Sequence, residues 1–492
     1  MKNRNTIFAA ILFVFALLCA AAAPKAFGVD PAPDGGYPGI NTAEGDDALF
    51  NLTTGQGNTA VGFNALFGNS TGSFNTATGV SALQFNTVGD NNTANGVDAL
   101  LNNGTGNNNT ATGVGALLGN EAGSNNTANG VDALFSNTIG NNNTASGQEA
   151  LENNLGDNNT ATGAQALLNN LDGTGNTANG VAALLSNTSG SNNTANGVDA
   201  LLSNTSGSFN TANGVSALRN NLGGSANTAS GQVALHNNTT GSDDTATGLQ
   251  ALFSNTTGNS NTADGFDALF QNTGNNNTAL GSNAGANLTT GNNNIDIGAN
   301  VTGAAGEANT IRIGKSGTQT KALIAGIFGK TVANGVGVIV GSTGQLGTVV
   351  SSARFKEAIR PMDKASEAIL ALKPVTFRYK KELDPDKIPQ FGLIAEEVEK
   401  VNPGLVARDE EGKIMSVRYE AVNAMLLNEF LKEHKRGEAQ QATISELKST
   451  VAQQQKGMEV LTAQLKEQAA QIQKVSAQVE ISRPAPRVVS HR

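Results

Sequence analysis

Ser351 and Lys356 are the residues of this 492-residue chain whose types and spacing most directly offer chemistry. A serine hydroxyl is a weak nucleophile until a neighbouring base takes its proton. A lysine can be that base only when neutral, which requires burial or nearby cations to lower its pKa. Taken alone, such a pair is also ordinary surface chemistry at a helix start, and Ser352 is a second candidate nucleophile. Other combinations offer less. His434 and His491 lack the companions of a catalytic triad. Glu396, Glu397 and Glu399 read as the solvated face of a helix. No metal-ligand spacing and no phosphate-cradling Gly loop occurs, so no metal and no cofactor is expected; the 59 glycines belong to a repeat.

The pair stands at the sharpest change of composition in the chain. Up to Ile311 the sequence is built from Asn, Gly, Thr and Ala; from Ser351 onward Lys, Glu, Arg and Phe appear and helical periodicity begins. Charge divides in the same way. Asp30 to Ile311 holds 20 acidic residues and one basic residue, Arg219, whereas Arg312 to Arg492 holds 27 basic and 20 acidic. A surface almost without Lys and Arg cannot neutralise phosphates, so nucleic acid is excluded as a partner of the first part. Charged residues make up 14 % and aromatics 4 % of the chain, with no Trp, against about 25 % charge in an ordinary globular chain. A conventional large-residue core is therefore not expected over most of the length.

An internal repeat organises the first part. Thr-Ala recurs from Thr42 to Thr278 at intervals of 17 residues, twice 16, and Ile295 and Ile311 continue the series. Gly follows three residues after each, Ala-Leu follows six and seven after in fourteen copies, and Asn ten after in thirteen. The fold class this predicts is mainly β: a parallel β-solenoid with 17-residue coils over 41–316. One coil cannot bury its apolar side alone, but stacked coils place Ala over Ala and Leu over Leu. The Gly slot asks for a positive φ or close backbone approach, and a stacked Asn column lets each amide bond to the next. Gly and Asn in every repeat oppose a helical solenoid. Asp98, Asp132, Asp199 and Asp267 share one slot before Ala-Leu, read as structural because the nonapeptide spacing of calcium rolls is missing.

Two resemblances follow from these residues. Asn-Thr-Ala-x-Gly, and Asn309-Thr310-Ile311-Arg312-Ile313-Gly314 most closely, resembles the head repeats of YadA-type trimeric autotransporter adhesins. That resemblance implies a left-handed β-roll in a homotrimeric surface fibre. Ser351-Ser352-Ala353-Arg354-Phe355-Lys356 resembles the opening of the intramolecular chaperone auto-processing peptidase domain of phage endosialidase tail spikes, Ser-Asp-x-Arg-Leu-Lys. Ser352 and Phe355 depart from that pattern, whereas Arg354 matches as a supporting residue. Further blocks agree: Lys373-Pro374-Val375-Thr376-Phe377, Phe391 to Val398, and Val417-Arg418-Tyr419. The resemblance implies a small α+β domain over 351–437, a Ser351–Lys356 catalytic dyad, and a cut at Val350-Ser351 that each chain makes once in itself, not in trans.

The ends supply the remaining parts. Lys2 and Arg4 before the apolar run Ile7–Ala23 form a signal peptide over 1–28, cleaved after Ala22 or Gly28. The alternatives are an uncleaved anchor or a lipoprotein at Cys19, the latter opposed by Leu18 where a small residue is wanted. A linker follows over 29–40, and a β-rich neck over 317–350 joins the repeat to the chaperone domain. Ile444, Leu447, Val451, Gln454, Met458, Leu461, Leu465, Gln468, Ile472, Val475 and Val479 form a heptad seam within a coiled coil over 438–483. Residues 484–492 form a tail opened by Pro484.

Together these readings predict a secreted or cell-surface fibre with itself as partner in a homotrimer, no transmembrane anchor after signal removal, and a host-surface or matrix glycan or protein as a possible target. Two other functions fit parts of the sequence: a tail-spike-like polysaccharide-degrading enzyme, which needs paired carboxylates in a groove, and a purely structural fibre whose trimerisation domain stays uncleaved.

Overall fold

The computed structural model describes residues 38–327, 332–409 and 411–482. The signal peptide with Cys19, the linker up to residue 37 and the whole tail lie outside the described residues. The chain divides into two compact units, Met1–Leu323 and Ile324–Arg492.

The first unit is a parallel β-solenoid. Seventeen three-residue strands, β1 (Thr42–Glu44) to β17 (Ile311–Ile313), form one sheet in which each pairs with its sequence neighbours. Register follows the repeat: Thr76 pairs with Thr93, Ala77 with Ala94 and Thr78 with Asn95. The central Ala of each strand from β2 to β15 is fully buried, and so are the Ala-Leu pairs of the following turn, such as Ala99-Leu100.

The Gly slot is required twice over. Gly96 sits at φ +148°, where an L side chain is strained, and a Cβ there would lie 2.3 Å from the Gly113 carbonyl oxygen of the next coil. Two slots beyond it, Asp98, Asp132, Asp199 and Asp267 all have φ between +53° and +58°. Asp tolerates the left-handed region, and the same slot also takes Glu149, Gln165 and Val233 at φ between +51° and +60°. The buried Leu of each coil is also left-handed, as in Leu100 at φ +54°. Leucine gains nothing from that backbone; stacking in the core holds it there.

Two Asn columns thread the coils. In the expected one, ten residues after Thr, Asn103 Nδ2 donates to Asn86 Oδ1 at 2.7 Å and to the Gly106 carbonyl at 2.9 Å. A second column occupies the position just before Thr. There Asn75 Oδ1 accepts the Asn92 backbone N–H at 2.9 Å, and Asn75 Nδ2 donates to the Gly89 carbonyl at 2.8 Å. These amides satisfy backbone groups that the turns leave open, and each column repeats coil by coil.

At its C-terminal end the solenoid changes chemistry. Asp296 replaces the buried Ala, fully enclosed, and Arg312 of the next coil reaches it at 3.6 Å while also pairing with Glu307. Burial raises the Asp296 carboxyl, opposed by the Arg312 charge. Terminal repeats of stacked folds commonly carry such polar closures.

The second unit is small. β18 (Val338–Val340) and β19 (Leu346–Thr348) make an antiparallel hairpin in the predicted neck, with both strands exposed. Further on, β20 (Val375–Phe377) pairs with β21 (Gln390–Gly392), and β22 (Val406–Arg408) with β23 (Ile414–Val417), all antiparallel. Helix α1 (Ala395–Val401) and helix α2 (Tyr419–Ile481, 63 residues) complete it. Its core is Val398, Leu405, Val406, Val417 and Met425, bordered by Met362, Ile369 and Leu393. Helix α2 starts well before the coiled coil expected from residue 438. Gly437 and Gly457, each costing about 1 kcal/mol relative to Ala, do not interrupt it. Among the described residues no helix is long and apolar enough to cross a membrane.

Candidate functional site

Ser351 begins the segment that carries the site. Ser352 is extended, at φ −63° and ψ 141°, and starts a short 3₁₀ turn over Ala353–Phe355. The Phe355 N–H returns to the Ser352 carbonyl at 3.0 Å and the Lys356 N–H to the Ala353 carbonyl at 3.0 Å. After this single turn Lys356 is extended again, at φ −125° and ψ 140°. The geometry brings Lys356 Nζ to 3.2 Å from Ser351 Oγ, donating to it. Both side chains are open to solvent in the single chain, and so is Val350. Arg354 lays its guanidinium 4.6 Å from the centre of the Phe355 ring. The Ser352 side chain makes no capping hydrogen bond to the turn.

The downstream sequence blocks meet one another in the fold. Val375-Thr376-Phe377 forms β20 and pairs with Gln390-Phe391-Gly392, with Val375 opposite Gly392. The chain then passes through Leu393 and Ile394 into α1, whose Val398 enters the core. Val417 closes the same core from β23. The Arg418 guanidinium donates to the Gly404 carbonyl at 3.2 Å, and Tyr419 Oη accepts the Leu393 backbone N–H at 3.0 Å. Phe377 and Tyr379 meet edge to face at 5.2 Å. Blocks separated by tens of residues are thus parts of one small packed body.

Reading the sequence missed one polar cluster. Ser366, fully buried in the 3₁₀ segment Asp363–Ala371, accepts from Asn428 Nδ2 at 2.7 Å and from Lys432 Nζ at 3.3 Å, and bonds to Glu429. Lys432 Nζ also reaches the Asp363 carbonyl at 2.7 Å. The Lys432 ammonium and the Ser366 hydroxyl hold the Glu429 carboxyl below its ordinary range. This network ties α2 to the domain body. No spacing rule signals it, because its members lie more than sixty residues apart. Glu396, Glu397 and Glu399 lie on or beside α1, where Glu397 pairs with Lys400 at 2.7 Å and Glu399 with Arg408. Among the described residues no group of three His, Cys, Asp or Glu side chains is placed to hold a metal ion.

Residues 351–407 match the Peptidase_S74 family, the chaperone of endosialidase. The match opens on Ser351 and ends within β22. Residues 351–407 therefore fit a chaperone-of-endosialidase domain that follows a β-solenoid. No curated protein and no solved structure matches the chain.

Proposed function

We propose that the protein is an exported, homotrimeric fibre whose C-terminal domain drives trimerisation and then cuts itself away at the Val350-Ser351 bond. The observation that carries this reading is the family match beginning at Ser351, with Lys356 Nζ 3.2 Å from Ser351 Oγ. In the reaction, neutral Lys356 takes the Ser351 hydroxyl proton as Oγ attacks the Val350 carbonyl carbon. The carbon–oxygen bond forms, the peptide C–N bond breaks, and Lys356 returns the proton to the departing Ser351 nitrogen. Water then hydrolyses the resulting ester, leaving a Val350 carboxylate and the original serine.

Lys356 is exposed in the single chain, and a lysine becomes a base only when desolvation or nearby cations favour its neutral form. Assembly supplies the burial, so cleavage reports a correctly built trimer. Release of the chaperone then removes the route back to unfolding, a kinetic lock. The heptad seam of α2 serves as the trimerisation element. The solenoid, outside the matched residues, acts as a stalk or adhesive surface toward a host or matrix glycan or protein.

The test is intact-mass analysis of the chain from Val29 onward beside Ser351→Ala and Lys356→Ala. Wild type splitting between Val350 and Ser351, with both variants whole, is the expected result. If all three remain full length while folding as trimers, the domain is a retained trimerisation module and the cleavage reading fails.

A further inference from the structure

We infer that Asp244 is a proton-operated joint in the solenoid: protonated, its carboxyl completes the column of side-chain amides before the Thr strands, and ionised it breaks that column at one coil.

The column runs from Asn41 to Asn294, one member per coil, and Asp244 is its one carboxylate. Every member has two tasks. Its Oδ1 accepts the backbone N–H of the next member, and its Nδ2 donates to a backbone carbonyl thirteen or fourteen residues on. Asn227 performs both, accepting from Asp244 N–H at 3.0 Å and donating to the Gly241 carbonyl at 2.8 Å. Asn261 likewise donates to the Gly274 carbonyl at 2.9 Å.

Asp244 keeps the first task, its Oδ1 accepting from Asn261 N–H at 2.8 Å and from Asn261 Nδ2 at 3.0 Å. The second is lost unless Oδ2 carries a proton, since a carboxylate oxygen cannot donate. The neighbourhood is rearranged accordingly. Asn255, of the other Asn column, keeps that column's usual bond to the Gly258 carbonyl at 3.0 Å, as Asn238 does to Gly241, and adds a bond from Nδ2 to Asp244 Oδ2 at 2.9 Å. Its own column bond to Asn238 stretches to 3.3 Å, against 2.8 Å between Asn238 and Asn221. The Gly258 carbonyl thus receives one side-chain amide, where the Gly241 carbonyl receives two, from Asn227 and Asn238.

Asp244 is fully buried and has no cation against it. The coils above and below present Asn227, Asn255 and Asn261; the other charged group acting on it is the adjacent, exposed Asp243. Burial pushes the carboxyl from its ordinary 3.8 up to about 7, overriding the hydrogen bonds from Asn261 and Asn255, and Asp243 adds to the rise. The sign of the linkage follows. Below about 4 both folded and unfolded states hold the proton, and the stabilisation is complete. Between about 4 and 7 only the folded state holds it, so stability falls as pH rises, and the fall stops above the folded value. Because each coil touches only its neighbours, the loosening stays local.

Hydrogen exchange of the full chain, followed by mass spectrometry from pH 5 to 8 and divided by the intrinsic chemical rates, tests this. In wild type, the opening equilibrium of the coils around Asp244 rises relative to Asp244→Asn by on the order of tenfold per pH unit between about 5 and 7, then levels. Asn227→Asp creates the same excess pH dependence one coil earlier. If wild type and Asp244→Asn share one pH dependence, or if Asn227→Asp adds none, the joint does not exist.

Discussion

Leu201 of the solenoid is fully enclosed by the chain's own coils, whereas in the C-terminal unit Phe391 is 82 % exposed and Phe430 64 %. The coils that begin at Thr59 through Thr262 bury the same Ala and Leu positions, each against its neighbouring coils. Among its described residues the C-terminal unit buries five hydrophobic residues and leaves a 63-residue helix with its apolar seam in water. Leu447, Leu461, Leu465 and Ile472 all stand exposed there. A single amphipathic helix of this kind draws its stability from packing and not from propensity. Large exposed apolar surfaces on soluble proteins mark places where something else binds. The contrast separates a region finished within one chain from a region that leaves its apolar seam uncovered, as the proposed assembly role requires.

Substitutions sharpen this contrast, and the largest effect belongs to the solenoid glycines. Gly197→Val places a β-branched side chain at φ +141°, with its Cβ 2.5 Å from the Gly214 carbonyl oxygen. Both the backbone strain and the clash fall on one coil, so a loss above about 4 kcal/mol is expected, in the exceptional class of single-site effects. Urea unfolding of the full chain measures it; a loss below about 1 kcal/mol would show that coils can separate cheaply.

Next comes a matched pair of leucines. Leu201→Ala opens a cavity within one chain and costs about 2–5 kcal/mol at any protein concentration. Leu461→Ala, at an exposed seam position, costs almost nothing in a lone helix. In a packed seam it costs about 1–3 kcal/mol and shifts the midpoint with concentration, because assembly and folding are then linked. Thermal melts of both variants over a hundredfold dilution separate the cases. A concentration-independent Leu461→Ala midpoint would remove the seam from any interface.

Much of this architecture is legible in the sequence because a repeat states its own register. Thr-Ala at 17-residue spacing gives the strands, their parallel pairing and the buried Ala. What stays hidden is set by stacking and not by residue type. Leu100 carries a left-handed φ that no propensity would assign it, and the second Asn column looks in sequence like part of the strand motif. The meaning of Asp244 also depends on that column, since an isolated Asp among many Asn residues carries no signal of burial. In the C-terminal domain the opening Ser-x-x-Arg-x-Lys pattern was readable by resemblance. The Ser366–Asn428–Lys432 cluster was not, because a polar contact between distant residues leaves no periodic trace. Helix α2 extends upstream of the seam for a related reason: Tyr419 to Arg436 pack partly on the domain core and so do not show a clean heptad.

The smallest expected effect tests how the site itself is positioned. Arg354 stacks on Phe355 within the turn that joins Ser351 to Lys356. An exposed cation–π contact contributes about 0.5–1 kcal/mol, so Arg354→Ala changes global stability by no more than that. Its effect on the site is different in kind. The turn holds Lys356 Nζ against Ser351 Oγ through two backbone hydrogen bonds alone, and the stacked guanidinium restricts the Phe355 side chain between them. Loosening that ring widens the distribution of Ser–Lys distances, so the proposed self-cleavage slows while its final extent stays the same. Arg354→Lys keeps the charge but loses the planar stack, and it falls nearer to Ala than to wild type. Time-resolved gel analysis of cleavage for the three proteins decides the point. Equal rates would mean that Arg354 is surface charge and that the two backbone bonds suffice to hold the dyad.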